Sequence, residues 1–203
     1  MRTANILCAI SLAITFSFVR PLDAEPSKET FGSNVIGEVY KHASGDDLWI
    51  YRFQPDHHDP STDCCPAVVF FFGGGWNGGS VHQFEKHAAY LAQRGIVAFL
   101  ADYRVKNRQG TSPDACVRDG KSAIRWIRAN AARLGVDPER IGAGGGSAGG
   151  HVAAATGICS GFEDPADRNR ETSSKPNALL LFNPVYDNGP DGYGHSRIKQ
   201  HLP

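Results

Sequence analysis

Ala67-Val68-Val69-Phe70-Phe71-Phe72 restricts the fold more than any other stretch, because six consecutive apolar residues leave no polar face to turn toward water. Such a run, closed by Gly73, reads as a strand covered on both sides, as in a parallel sheet layered with helices. The following segments agree: Phe84, Ala88 and Leu91 recur at helical spacing, Gly95 supplies a stop, and Ile96 to Ala101 is a second buried strand. Strand, helix and strand in succession imply a right-handed crossover.

Upstream, Val35 to Tyr40 and Leu48 to Phe53 flank the turn-forming Ser44-Gly45-Asp46-Asp47 and predict an antiparallel hairpin. Residues 54–66 read as a loop, with His57 and His58 in solvent. Downstream, Ser112-Pro113-Asp114 carries a cap, a first-turn proline and a first-turn acid. Val117, Ile124, Ile127, Ala131 and Leu134 then share one helical face, and Gly135 ends it. Arg118, Lys121, Arg125 and Arg128 fall on other faces and read as a solvated surface. A short strand from Ile141 into the glycine turn, an Ala-rich helix from Ala148 to about Thr156, a polar loop from Cys159 to Pro176 and a strand from Ala178 to Phe182 follow. The expectation is an α/β fold: a mostly parallel, doubly wound sheet opened by an antiparallel hairpin.

Lys plus Arg and Asp plus Glu balance at 21 each, which argues against a nucleic-acid partner. Arg2, the apolar Ile6 to Val19 and the small residue Ala24 form a secretory signal pattern too short for a comfortable membrane span. Residues 1–24 are therefore expected to be a signal peptide, residues 25–203 a single domain, and the mature protein secreted or periplasmic without stable membrane insertion. Export would place Cys64, Cys65, Cys116 and Cys159 where disulfides persist, but their pairing is not readable and oligomeric state is left open. No C-x-x-C or H-x-x-x-H spacing points to a metal, and no organic cofactor is implied.

Two glycine-rich turns carry the chemistry. Gly145-Gly146-Ser147-Ala148-Gly149 has the G-x-S-x-G form in which a strand turns sharply into a helix and leaves a serine hydroxyl clear of the backbone. Phe72-Gly73-Gly74-Gly75-Trp76-Asn77-Gly78-Gly79 directly follows the first parallel strand, at the sheet edge where such folds hold ligands. Acyl transfer needs backbone N–H donors aimed at a developing oxyanion, and a triple-glycine loop together with Ala148 supplies them.

With these motifs, with Asp102-Tyr103-Arg104 after the second strand and with Leu134 to Ile141 leading into the serine turn, the chain resembles the α/β-hydrolase superfamily. Within it the chain is similar to the esterase/lipase group that includes hormone-sensitive-lipase-like and carbohydrate-ester hydrolases. The resemblance implies Ser147 as nucleophile, Gly74, Gly75 and Ala148 as oxyanion donors, and a small-molecule or carbohydrate ester as substrate. Phe72 stands where the family usually has His, and Gly146 where it often has Asp. Both departures spare the main-chain donors.

In the family the acid and the histidine follow the serine, after the last strands of an eight-stranded sheet. Here Asp187 or Asp191 is the available acid and His151, His195 or His201 the available base, with Asp187 and His195 the pair singled out. The sixth strand is the last expected, so a triad completed beyond residue 203 and a catalytically inert fragment or binding scaffold both stay open. A dinucleotide-binding oxidoreductase is a third reading: Gly73, Gly75 and Gly78 have fingerprint spacing, and Asp102 ends the next strand where a ribose-binding acid belongs.

Overall fold

The computed structural model describes residues 28–167 and 169–195. The signal-peptide stretch and His201 lie outside the described residues.

Strands β1 (Val35–Ala43) and β2 (Asp46–Phe53) form the expected hairpin. Ser44 and Gly45 both take positive φ between them, which gives the tight turn whose twist suits antiparallel strands. The register slips between Val39 and Lys41, so both Tyr40 and Lys41 are buried. Strands β3 (Cys65–Phe71) and β4 (Val97–Ala101) flank helix α1 (Glu85–Ala92). The short helix α2 (Lys106–Gln109), the long α3 (Pro113–Ala129) and the short α4 (Ala131–Leu134) lead into β5 (Val136–Gly146), α5 (Ala148–Ile158) and β6 (Ala178–Phe182). Strand order is β1-β2-β4-β3-β5-β6. β2 runs antiparallel to both β1 and β4, and β4, β3, β5 and β6 are parallel.

Aromatic bulk on β3 dictates glycine on β5. Phe70 lies opposite Gly144, where an added Cβ would sit 2.7 Å from the Phe70 ring. Phe71, Phe72, Phe99, Ile124 and Ile127 complete a core with almost no exposure, each side chain worth roughly 1.5–3 kcal/mol on burial. Helix α3 crosses α5 at Gly120, where a Cβ would meet Val152 at 2.6 Å.

Several expectations need correction. The single helix predicted from Pro113 to Leu134 breaks at Asn130, which leaves the helical region at φ −102°, ψ 9° and turns its side chain back to the Trp126 carbonyl. Ser112 occupies the cap position, but its hydroxyl donates to the Asp114 carboxylate instead of accepting from the helix backbone. His58 is not solvated: its ring is fully buried, whereas His57 is exposed.

The largest correction concerns the basic residues of α3. Lys121 and Arg125 are 3% and 4% exposed, because the 159–176 loop folds over that face and brings acids to them. Lys121 Nζ donates to Glu163 at 2.9 Å, and Arg125 donates to Asp167 at 2.6 Å and to Glu163. Beside them Asp119, fully buried, accepts from Lys41 Nζ at 2.7 Å and from Arg104 at 2.7 Å. Lys41 also reaches Asp164 at 2.5 Å. Burial pushes the Asp164 carboxyl up, but the Lys41 hydrogen bond and the Arg104 charge outweigh it and hold the group below the usual carboxylate range.

Removing one member of a buried ion cluster strands its partners, at a cost of about 3–5 kcal/mol. Asp119→Ala is expected to lose stability on that scale in urea unfolding, and a loss under about 1 kcal/mol would deny the cluster a structural role. A depressed carboxyl contributes stability that is present above its unfolded value near pH 4 and lost as pH falls through its folded value. Acid unfolding should therefore weaken the wild type as the pH drops below about 4, with a shallower slope in Asp164→Asn.

Candidate active site

Because β3 and β5 pair in parallel with Phe71 opposite Gly145, the two glycine turns that follow them emerge side by side. Ser147 sits at the apex of the second at φ 53°, ψ −118°, a conformation costing a side-chain-bearing residue of order 1–3 kcal/mol. The surroundings hold it there. Ser147 N–H donates to the Phe182 carbonyl at 3.0 Å, and the Ser147 carbonyl accepts from His151 at 3.0 Å and from Val185 at 3.3 Å. Small residues make the turn possible: a Cβ at Gly149 would lie 2.1 Å from the Phe71 carbonyl oxygen, and one at Gly145 would lie 2.5 Å from the Gly149 backbone.

The first turn lies against the second. A Cβ on Gly73 would stand 2.8 Å from the Gly146 carbonyl and 3.3 Å from Ser147 Cβ. Gly74 and Gly75 have φ of 143° and 62°, and the Gly74 carbonyl accepts from Asn77 at 3.1 Å to close the loop. The loop is pinned at its other end as Lys106 and Asn107 donate to the Trp76 and Asn77 carbonyls at 3.0 and 2.8 Å. The Gln83 amide oxygen accepts from Gly73 N–H, and Tyr103 hydroxyl donates to the Phe72 carbonyl at 2.5 Å while its ring stacks on Phe72 at 4.1 Å. Among the described residues, the N–H groups of Gly74, Gly75 and Ala148 donate no hydrogen bond. They are free for an incoming anionic oxygen, and Ala148 N–H lies in the first turn of α5, whose leading amides have no intrahelical acceptor.

The acid and base expected downstream are not assembled. Asp187 turns its carboxylate to the Gly189 N–H at 2.8 Å and its carbonyl accepts from Gly194 at 3.2 Å, so it closes a turn of its own. No hydrogen bond among the described residues joins the His195 ring to Asp187 or to Ser147, and Asp191 is exposed. His151 follows the serine on α5 and packs edge-on to Trp76 at 5.3 Å. Burial pushes its ring down to about 4, and its Nδ1 has no partner among the described residues.

The dinucleotide reading fails on two points. The Asp102 carboxylate is held by both Arg108 terminal nitrogens at 2.8 and 2.6 Å, which leaves little of it for a ribose. The helix after the glycine loop opens as a 3-10 turn at Val81–Phe84 whose His82 amide is already capped by the Ser80 hydroxyl, so a pyrophosphate would lack the open α-helix N-terminus of that motif. Gln83, which holds the loop, carries no motif that marks it in the sequence, whereas Tyr103 stands in the Asp102-Tyr103-Arg104 stretch but with nothing there to show that its hydroxyl would reach the Phe72 carbonyl.

The family model described as BD-FAE matches residues 54–187, which include both glycine turns. The chain belongs to the BD-FAE family. Members and neighbours are α/β-hydrolase esterases and lipases, in agreement with the mixed sheet. This BD-FAE chain is 37% identical over 93 residues to carboxylesterase NlhH of Mycobacterium tuberculosis, a match covering 45% of the chain and 28% of that protein. Esterase LipC of the same organism is 36% identical over 113 residues, 55% of the chain and 26% of that protein. Thermogutta terrifontis esterase 2, in its form phosphorylated by paraoxon, superposes with a TM-score of 0.75 at 46% identity, over 80% of this chain and 62% of that one. Its propionate-bound form gives 0.77 at 44% identity, over 84% and 63%. The chain thus spans under a third of these curated relatives and under two thirds of the solved esterase.

A ring that titrates near 4 in the fold and near 6.5 when unfolded binds fewer protons folded, so its contribution is whole above pH 6.5 and drains away toward pH 4. An NMR titration is expected to find His151 neutral down to about pH 4. His151→Phe should remove that part of the pH dependence of unfolding, and a His151 midpoint above 6 would contradict the burial described.

Proposed function

We propose that this chain is the nucleophile-bearing part of a secreted serine carboxylic ester hydrolase working through an acyl-enzyme on Ser147. What supports it is the juxtaposition at the paired ends of β3 and β5: a serine in a strained turn packed against a glycine loop, with the N–H groups of Gly74, Gly75 and Ala148 donating no hydrogen bond among the described residues. Ser147 Oγ attacks the ester carbonyl carbon as a base takes its proton. The carbonyl oxygen becomes an oxyanion that accepts from Gly74, Gly75 and Ala148, each such donor worth roughly 2.7–4 kcal/mol in the transition state. Collapse expels the alcohol, which takes up the proton from the base, and water then releases the acid from Ser147.

The general base and its orienting acid come, in this reading, from outside the described residues, since no ring among them hydrogen-bonds Ser147 Oγ. The substrate is a small ester with a short acyl group. Propionate-bound and butyrate-bound forms of Thermogutta terrifontis esterase 2 support that class, and the resemblance to carbohydrate-ester hydrolases extends it to acetyl groups on sugars. Export rests on the N-terminal pattern of Arg2, Ile6 to Val19 and Ala24. No helix among the described residues is long and apolar enough to cross a membrane.

The test is a fluorophosphonate read by intact mass, alongside hydrolysis of p-nitrophenyl acetate, butyrate and octanoate. One adduct on the wild type and none on Ser147→Ala is expected, with acetate and butyrate cleaved faster than octanoate and His195→Ala within about twofold of wild type. Labelling that survives Ser147→Ala overturns the nucleophile. No adduct on folded protein assigns the chain the second reading, a non-catalytic α/β-hydrolase scaffold, which the lack of a Ser147 hydroxyl partner among the described residues favours. Cleavage after Ala24 is checked by the N-terminal sequence of the exported protein.

A further inference from the structure

The loop between β2 and β3 gathers three metal-binding atoms at one point: His58 Nδ1, an Asp63 carboxylate oxygen and Cys65 Sγ lie within 4.8 Å of one another. Nδ1 stands 2.9 Å from Asp63 Oδ2 and 3.9 Å from Cys65 Sγ. The other ring nitrogen, Nε2, is 2.9 Å from the Leu134 carbonyl oxygen. A carbonyl only accepts, so Nε2 carries the proton, and in the neutral ring Nδ1 is left with its lone pair. That lone pair confronts a carboxylate oxygen, two acceptors face to face in a fully buried ring. A positive centre, either a second ring proton or a metal ion, resolves that contact, and the Cys65 sulfur beside it is a donor only the metal ion would use.

We propose that His58, Asp63 and Cys65 bind a zinc ion, with solvent in the fourth position. A nitrogen, an oxygen and a sulfur together suit zinc, whereas calcium and magnesium take all-oxygen sets. Zinc bonds of about 2.0–2.1 Å to N and O and about 2.3 Å to S place tetrahedral ligand atoms roughly 3.3–3.6 Å apart. His58 Nδ1 would move about 0.4 Å from Asp63 and about as much toward Cys65 to reach that spacing, and the part-exposed Asp63 is the side chain free to close the remaining separation, which is no more than 4.8 Å.

The surroundings are built as ligand supports are. Metal-bound histidines commonly donate their second N–H to a backbone carbonyl, as His58 does. Asp63 Oδ2 also accepts from Asp59 N–H at 2.9 Å, and Asp63 N–H donates to the Asp59 carbonyl at 2.8 Å. Gly135 is the residue that lets the ring in: it has φ 62°, and a Cβ there would lie 2.7 Å from His58 Cε1. Cys65 N–H donates to the Gly135 carbonyl at 2.9 Å. The site adjoins the amino ends of β3 and β5, at the opposite edge of the sheet from Ser147. Its ion is therefore structural, tying the 54–64 loop to the α4–β5 turn, and the ester chemistry does not pass through it.

The test uses the whole chain with reduced thiols, stripped by a chelator and titrated with Co2+ alone and Zn2+ alone. One Co2+ per chain is expected, with visible ligand-field bands and a near-ultraviolet sulfur charge-transfer band, both displaced by one Zn2+, and Zn2+ should raise Tm. Cys65→Ser should lose the sulfur band and Cys64→Ser keep it. Asp63→Asn alters a part-exposed side chain and is expected to fold, with Co2+ affinity lowered more than about tenfold. Folded wild type that binds neither ion would overturn the site and leave a protonated His58 paired to Asp63. A sulfur band that survives Cys65→Ser and vanishes in Cys64→Ser would overturn it as well.

Discussion

The contact on which the rest of the molecule depends has no side chain in it. The first turn of α5 meets the end of β3 at Gly149, where a Cβ would come within 2.1 Å of the Phe71 carbonyl oxygen and 2.3 Å of that of Phe72. Backbone against backbone at this range leaves β5 no room for a gradual exit, so the chain reverses within one residue, Ser147. The strain at that residue is the counterpart of the close approach, offset by the core that drives helix and sheet together. Phe72 serves both sides, its carbonyl near Gly149 and its ring stacked on Tyr103. The glycine loop is therefore aimed by the same contact that bends the serine turn.

A second organising interaction lies away from the serine. Lys41 from β1, Arg104 beyond β4, Asp119 from α3 and Asp164 from the loop form one set of ion pairs, Lys121 and Arg125 from α3 with Glu163 and Asp167 from the loop form a second, and the Ser122 hydroxyl joins them by accepting from Lys41 and donating to Asp167. Buried ions are poor sources of net stability because each must shed water. What they enforce is mutual placement, since any member out of position leaves another unpaired. A loop with little apolar content is thereby fastened to α3 without a core of its own.

The fold was legible wherever burial leaves a local pattern. The run from Ala67 to Phe72, the Ser44-Gly45 turn and the periodicity of α3 each encode their element within a few residues. The serine and glycine turns were legible because they need residue types that little else requires. What was hidden depends on partners distant in the chain. Lys121 and Arg125 look like solvent-facing charges until the 159–176 loop covers them, and Lys41 turns inward only because the register of β1 slips after Val39. His58 is buried by Gly135, a residue legible merely as a helix stop. Asp187 and His195 had the right chemistry and order, but no hydrogen bond joins them among the described residues, and the Asp187 carboxylate caps its own turn at Gly189.

The hydrogen bond from Ser147 N–H to the Phe182 carbonyl gives the serine turn a history as well as a shape. Phe182 ends β6, the strand synthesised last among those described, and chains emerge from the ribosome amino end first. Until residues 178–185 have docked on β5, neither the Phe182 carbonyl nor the Val185 amide is present to hold the reversed backbone at Ser147. A nascent or half-unfolded chain therefore has the reversal at Ser147 set by the α5–β3 contact alone, and the hydrogen bonds that hold it arrive only with the completed parallel pairing. The turn at Ser147 thus gains its last two backbone hydrogen-bond partners only after the rest of the sheet that carries it has been made.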